Sequence, residues 1–182
     1  MTDIIEIKKN LRKQIRNLKD KYSAIQLIEL SSDIHSRLEK LPAFQNAQTI
    51  LMYWSMSDEV YTQSFVEKWS ALKRIILPSV KGDDLILKEF KGVENLTAGE
   101  QFAIPEPEGL PFLDTESIDL IIVPGVAFDK LGNRMGRGRG FYDKLLTTTN
   151  AIKIGICFNF QMVEKVPVEK HDKKMDIVVF NH

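Results

Sequence analysis

Residues 123–146 read VPGVAFDKLGNRMGRGRGFYDKLL, and the fold is decided by how this stretch is entered and left. The apolar run Ile118 to Val123 leads in with the composition of a buried strand, and a helical pattern, Phe141 to Leu146, leads out. Between them Gly125, Gly132, Gly136, Gly138 and Gly140 place five of the chain's ten glycines within sixteen positions. Glycine lets a ligand approach the backbone closely. Arg137 and Arg139 alternate with the last three glycines, and Arg134 stands just before them. Free backbone N–H groups, three guanidinium forks and a following helix start suit a polyanion, most simply a chain of phosphates.

The stretch is not a common phosphate loop. It lacks the G-K-[ST] ending of a Walker A loop, and its spacing is not G-x-G-x-x-G. R-G-F-Y echoes an RNA-binding signature, but Tyr142 stands where that signature takes Gly or Ala. The plainer alternative is a solvated basic turn.

Outside this stretch, strands and helices alternate, which predicts an α/β fold with a mainly parallel sheet covered by helices. Residues 3–20 carry Ile4, Ile7, Leu11, Ile15 and Leu18 at helical spacing, with basic residues crowding the other faces. A second helix starts after Ser23, runs to Leu38 and ends at Pro42, with Ile25, Ile28, Ile34, Leu38 and Leu41 on its buried side. His35 lies on this helix without a role. Strands are expected at Gln48–Trp54, Arg74–Pro78, Leu85–Phe90, Ile152–Phe158 and Ile177–Phe180, and a helix at Tyr61–Leu72. Residues 91–117 read as irregular and contain the stiff F-A-I-P-E-P segment, 102–107. Gln161–Val166 is expected to be helical or turn-like, and His182 to fray.

The 182 residues predict one domain, 1–182, with a real core. Lysine plus arginine equals aspartate plus glutamate at 25 each, which argues against a dedicated nucleic-acid or membrane-surface binder. The cationic cluster is therefore local and favours a small anionic ligand. Cys157, the only cysteine, sits in the strand-like I-G-I-C-F and reads as a core residue. No secretory signal or membrane-spanning run is present, and a monomer in the reducing cytoplasm is expected.

Pro124 to Asp143 resembles the signature of the 5-formyltetrahydrofolate cyclo-ligase family: P-G-x-A-F-D, a few residues, then G-x-R-[LM]-G-x-G-x-G-[YF]-Y-D. Every part is present in order, with Phe141 in place of the more usual tyrosine. The resemblance extends from Lys8 to Asp176 and implies an α/β/α sandwich. It implies an enzyme that uses ATP and Mg2+ to convert 5-formyltetrahydrofolate, with one glutamate or several, into 5,10-methenyltetrahydrofolate. The family's K-x-x-x-R near the N-terminus touches nucleotide phosphates, and Lys8 and Arg12 match it. Lys9 and Lys13 share that spacing. The implied nucleotide site is Lys8, Lys9, Asn10, Leu11 and Arg12, with Arg134, Met135, Gly136, Arg137, Gly138, Arg139, Gly140, Phe141 and Tyr142.

For the folate, the family's Y-x-[SA]-x-x-x-E-[VI]-x-T is matched by Tyr53, Ser55, Glu59, Val60 and Thr62. Its glutamate bonds the pterin, which assigns Glu59. By itself Asp58 or Glu59 would read as an acid at a helix start. Trp54 is either a core strand residue or a stacking wall for the folate. The implied folate site also takes in Arg137 to Phe141. The I-P-E-P loop is a second match and leaves Glu106 as a structural or pocket residue. The closing D-x-x-[VML]-D pattern implies that Asp172 and Asp143 bind magnesium. Arg134, Arg137 and Arg139 would carry catalysis by neutralising phosphate charge. Two rivals stay open: another ATP- or sugar-phosphate-binding enzyme, and an RNA-binding module.

Overall fold

The computed structural model describes residues 3–99 and 104–182. Helix α1 (Ile4–Lys19) begins at Asp3, whose carboxylate accepts from the Ile5 N–H. Helix α2 (Ala24–Leu38) begins in a reciprocal cap: Ser23 Oγ accepts from the Gln26 N–H, and Gln26 Oε1 accepts from the Ser23 N–H. Its buried stripe is Leu27, Ser31, Ile34 and Leu38, which corrects the expectation for Ile25 and Ile28; these are 70% and 46% exposed. Ser31 rotates the stripe because its buried hydroxyl is satisfied, donating to the Leu27 carbonyl and accepting from the Tyr61 N–H. Pro42 does not end α2, which stops at Leu38. It opens α3 (Pro42–Asn46), where the first-turn N–H it lacks would have no partner.

Strand β1 (Thr49–Leu51) and helix α4 (Gln63–Ser70) are both shorter than expected. Strands β2 (Arg74–Lys81) and β3 (Asp84–Glu89) pair antiparallel across the K-G-D-D turn. The stretch read as irregular contains β4 (Leu96–Ala98) paired with β5 (Pro105–Pro107), so the prolines bracketing Glu106 sit in an extended strand. Phe102 and Ala103 of that segment lie outside the described residues. After β6 (Leu120–Val123) the glycine-rich stretch opens as a small hairpin, β7 (Ala127–Phe128) with β8 (Arg134–Met135), which the sequence reading missed. Helix α5 (Phe141–Leu145), β9 (Ile152–Cys157) and β10 (Ile177–Phe180) follow. Between these last strands, Asn159–Gln161 is a single turn of 3-10 helix, and 162–166 beyond it is not helical.

The main sheet has the order β10-β9-β6-β1-β2-β3; all neighbours are parallel except the edge pair β2–β3. Alternation divides its core. Ile50, Ile75, Leu77, Ile122 and Ile154 pack with Ile34, Leu38 and Phe65 of α2 and α4. Leu51, Ile76, Ile121 and Val123 face the other way, towards Leu145 and Leu146 at the end of α5. The mostly parallel sheet with flanking helices is the expected α/β class. A third cluster seats Ile15 of α1 on Ala127 and Met135 of the hairpin.

Phe128 locks the hairpin to the sheet. A Cβ on either Gly125 or Gly155 would run into its ring. Cys157 is buried, as expected of a core residue, and burial raises its thiol pKa. The C-terminus is tied down rather than frayed: the His182 N–H donates to Asp33. Among the described residues no helix is long and apolar enough to cross a membrane.

Candidate active site

The connection leaving β1 crosses through α4 to β2 on one side, whereas β6, the neighbour of β1 on the other side, is followed by β9 beyond it. The sheet therefore has a switch point between β1 and β6, where ligands of open α/β sheets bind beyond the strands' carboxyl ends. A cavity of about 540 Å³ lies there. Tyr53 and Trp54 enter it after β1, Pro78 and Val80 from the end of β2, and Pro124 and Gly125 after β6.

The second half of the glycine-rich stretch forms one wall, from Arg134 to Asp143. Gly138 and Gly140 hold φ values of 105° and 71°, a region other residues enter only with strain. Arg134 is buried under this wall. Its Nη2 donates to Asp143 Oδ2 at 2.9 Å and its Nη1 to the Pro124 carbonyl at 3.2 Å. Its Nε and the Tyr142 hydroxyl are buried without hydrogen-bond partners among the described residues. Burial, with Glu59 adding to it, raises the Tyr142 pKa above the phenol range. Phe141 and Arg139 also line the cavity.

Helix α1 supplies a second wall. Lys8 and Arg12 face the cavity one turn apart, whereas Lys9 and Asn10 are exposed and outside it. Leu11 packs in the cluster beneath the helix. Arg12 Nε donates to the Gly136 carbonyl at 3.0 Å, binding helix to glycine loop. Lys8 Nζ lies 2.7 Å from Glu169 and 2.8 Å from Asp172. Burial opposes the Lys8 charge, but these two carboxylates outweigh it and raise its pKa. Asp172 is lowered in turn, since the Lys8 and Glu169 N–H bonds overcome its own desolvation.

The third wall is the turn after β1. Glu59 Oε2 accepts from the Met56 N–H at 3.0 Å, and Oε1 from Arg137 Nη2 at 3.2 Å. Trp54 is a core residue, 9% exposed and packed 5.8 Å from the Phe90 ring, and it also lines the cavity. Glu106 lines it too, while its Oε1 accepts from the Val80 N–H, so it also staples the β4–β5 arm to β2.

Among the described residues, the cavity is therefore lined by five cations, Lys8, Arg12, Arg134, Arg137 and Arg139, and by five carboxylates, Glu59, Glu106, Asp143, Glu169 and Asp172. The cations suit phosphates, and the carboxylate oxygens suit a hard divalent ion. Glu169, His171 and Asp172 bring ligand atoms within 4.8 Å of one another; Asp143 lies outside that group. Lys8 already holds a positive charge between two of these carboxylates, so the donor set fits a cation.

Several residues escaped the sequence reading. Asp58 accepts from Arg137 and from Lys19, and Glu169 meets Lys8. Their acid-rich turns carried no signal beyond charge. Asp129, fully buried, accepts from the N–H groups of Leu131, Asn133 and Val166 and shapes the hairpin. Asx-type bonding at the F-D-K-L-G turn was the available clue.

Fold and site together define an α/β protein of the enzyme type, with a cleft of clustered cations and carboxylates at the switch point of a mostly parallel sheet. The sequence model of the 5-formyltetrahydrofolate cyclo-ligase family matches residues 4–181, and the chain belongs to that family. The chain is 31% identical to the 5-formyltetrahydrofolate cyclo-ligase of Escherichia coli (strain K12), over 83% of this chain and 87% of that one. It is 26% identical to the probable 5-formyltetrahydrofolate cyclo-ligase of Caenorhabditis elegans, over 99% and 95%. Among solved structures, the 5,10-methenyltetrahydrofolate synthetase of Aquifex aeolicus superposes with a TM-score of 0.85 at 33% identity, over 96% of this chain and 89% of that one.

Proposed function

We propose that this chain converts 5-formyltetrahydrofolate and ATP into 5,10-methenyltetrahydrofolate, ADP and phosphate, with magnesium, in the cytoplasm. One observation carries the reading beyond family membership: residues from α1, the turn after β1, the glycine loop and the 169–172 segment line a single cavity. No single segment among them supplies both phosphate-type cations and a pterin-type carboxylate beside an indole.

The chemistry needs both. A formyl oxygen leaves poorly when N10 attacks the formyl carbon. Transfer of the γ-phosphoryl group to that oxygen releases ADP and gives an N5-iminium phosphate. The N10 lone pair then forms the new C–N bond, N10 loses its proton, and the C–O bond breaks with its electrons on phosphate. The protein's contribution is alignment and charge neutralisation. Lys8, Arg12 and Arg139 would hold the phosphates with the N–H groups of Gly136 to Gly140. Arg134 fixes the Asp143 carboxylate beneath them. Glu59 and Trp54 would orient the pterin, with Phe141 and Tyr142 beside the formyl group. Magnesium, held by Asp143 and Asp172, would supply charge neutralisation at the phosphates.

The test is a near-ultraviolet absorbance trace with 5-formyltetrahydrofolate and magnesium–ATP. Growth of the conjugated methenyl band that needs both ATP and magnesium is expected. A flat trace from folded protein that binds ATP would overturn the folate reading.

A further inference from the structure

Arg137 does not sit with the other cations of its loop. Its Nη2 lies 2.6 Å from Asp58 Oδ1 and 3.2 Å from Glu59 Oε1, and its Nε lies 3.4 Å from the same Glu59 oxygen. Asp58 lies outside the cavity, but its other oxygen accepts from Lys19 Nζ at 3.2 Å. A chain of contacts thus runs from the end of α1 through Asp58 and Arg137 to Glu59. Building on the folate reading above, we infer that Asp58 is a positioning residue for folate recognition: it holds Arg137 against Glu59 so that the carboxylate is presented to the pterin edge.

The lone pairs carry the argument. A carboxylate offers about four acceptor sites. Arg137 takes two on Oε1, from Nε and Nη2, and the Met56 N–H takes one on Oε2. One site remains, on Oε2, turned to accept an N–H from an amino-pyrimidine edge while Arg137 holds Oε1. Met56 holds Oε2, but the Oε1 end is fixed only if Arg137 is fixed, and Arg137 stands between Gly136 and Gly138, whose backbones restrain it little. Asp58, anchored by a Lys19 side chain only 13% exposed, supplies the restraint. The Arg137 charge is secured as well: burial opposes it, but Glu59 and Asp58 together raise its pKa. Arg137 thereby belongs to the folate side of the cleft rather than to the phosphates.

The experiment is calorimetric titration of the full chain with 5-formyltetrahydrofolate and, separately, with ATP, for wild type, D58N, E59Q and the double variant. D58N is expected to weaken 5-formyltetrahydrofolate binding about fivefold, while ATP affinity stays within about twofold. On the E59Q background D58N should change folate affinity by less than about twofold, because Asp58 acts through Glu59. An equal loss of ATP affinity, an unchanged folate affinity, or a full effect persisting on E59Q would each overturn the inference. D58E, which keeps the carboxylate, should recover most of the loss, as a residue needed only for folding would not require. Failure of wild type to bind 5-formyltetrahydrofolate would remove the folate reading itself and this inference with it.

Discussion

Lys8 Nζ lies 2.8 Å from Asp172 Oδ2, joining the first helix to the last loop across 164 residues of chain. Glu169 completes the contact at 2.7 Å, and the side chains of Lys8 and Asp172 are only 11% and 12% exposed. Helix α1 is otherwise seated by Ile15 and its neighbours near the opposite end. This ion pair and the Arg12 bond to the Gly136 carbonyl therefore hold the front of α1 over the cleft.

Lys8→Met should destabilise the fold by about 1–2 kcal/mol, because two carboxylates lose their counter-ion. The sign with pH follows from the two shifts. Asp172 is lowered, so its contribution is present above the unfolded carboxylate value and is lost as pH falls. Lys8 is raised, so its contribution is full below the unfolded amine value and is lost as pH rises through the folded one. Urea titrations of wild type and Lys8→Met should therefore differ at neutral pH and converge in acid.

Asp143→Asn should weaken magnesium–nucleotide use at least tenfold, since it loses both a metal-type donor and the partner of buried Arg134. Folate affinity should hold. Initial rates against magnesium concentration test this, and full activity at limiting magnesium would remove Asp143 from the site.

Trp69→Phe leaves Trp54 as the sole tryptophan of a chain that has two. Emission from this variant should fall when 5-formyltetrahydrofolate is added and stay constant with ATP alone, because Trp54 alone of the two lines the cleft. A response to ATP of equal size would take Trp54 out of the folate wall.

His35 packs 4.5 Å from the Phe65 ring, and burial lowers its pKa to about 4. Unfolded chain binds the proton near pH 6.5, so stability from this group is present above that value and is lost as pH falls towards 4. The loss amounts to up to about 3 kcal/mol. His35→Phe should flatten the stability profile over this window, read as the urea midpoint at several pH values.

Gly155→Ala should cost about 1–3 kcal/mol and lower the thermal midpoint, because the added methyl group meets the Phe128 ring against the sheet. Loosening this ring should also disturb the β7–β8 hairpin that carries Arg134.

Much of this structure is legible in local patterns. Ser23 announces its cap, the apolar run before Pro124 its strand, and the K-G-D-D turn its hairpin. Near-continuous apolar runs mark the parallel strands as buried on both faces. The readings that failed depended on what lay opposite. Ile25 and Ile28 look like core until Ser31, whose hydroxyl accepts from the Tyr61 N–H, is seen to share the buried stripe with Leu27, Ile34 and Leu38. The Pro105–Pro107 segment looks like loop until Leu96–Ala98 pairs with it. Lys8 and Lys9 share the same spacing, the Leu11–Arg12 pair favours Lys8 by resemblance, and the seating of α1 on the hairpin turns Lys8 inward and Lys9 out.

The sequence by itself determined the α/β class and the glycine-rich wall with its arginines, chemical types suited to an anionic ligand. Those properties are carried by periodicity and by residues close in the chain. Only the tertiary structure decided which charges meet: Lys8 with Asp172, Arg134 with Asp143, and Arg137 with Asp58 and Glu59. An ion pair is a relation across space, and the four segments that make these pairs come together only because the sheet reverses its winding between β1 and β6.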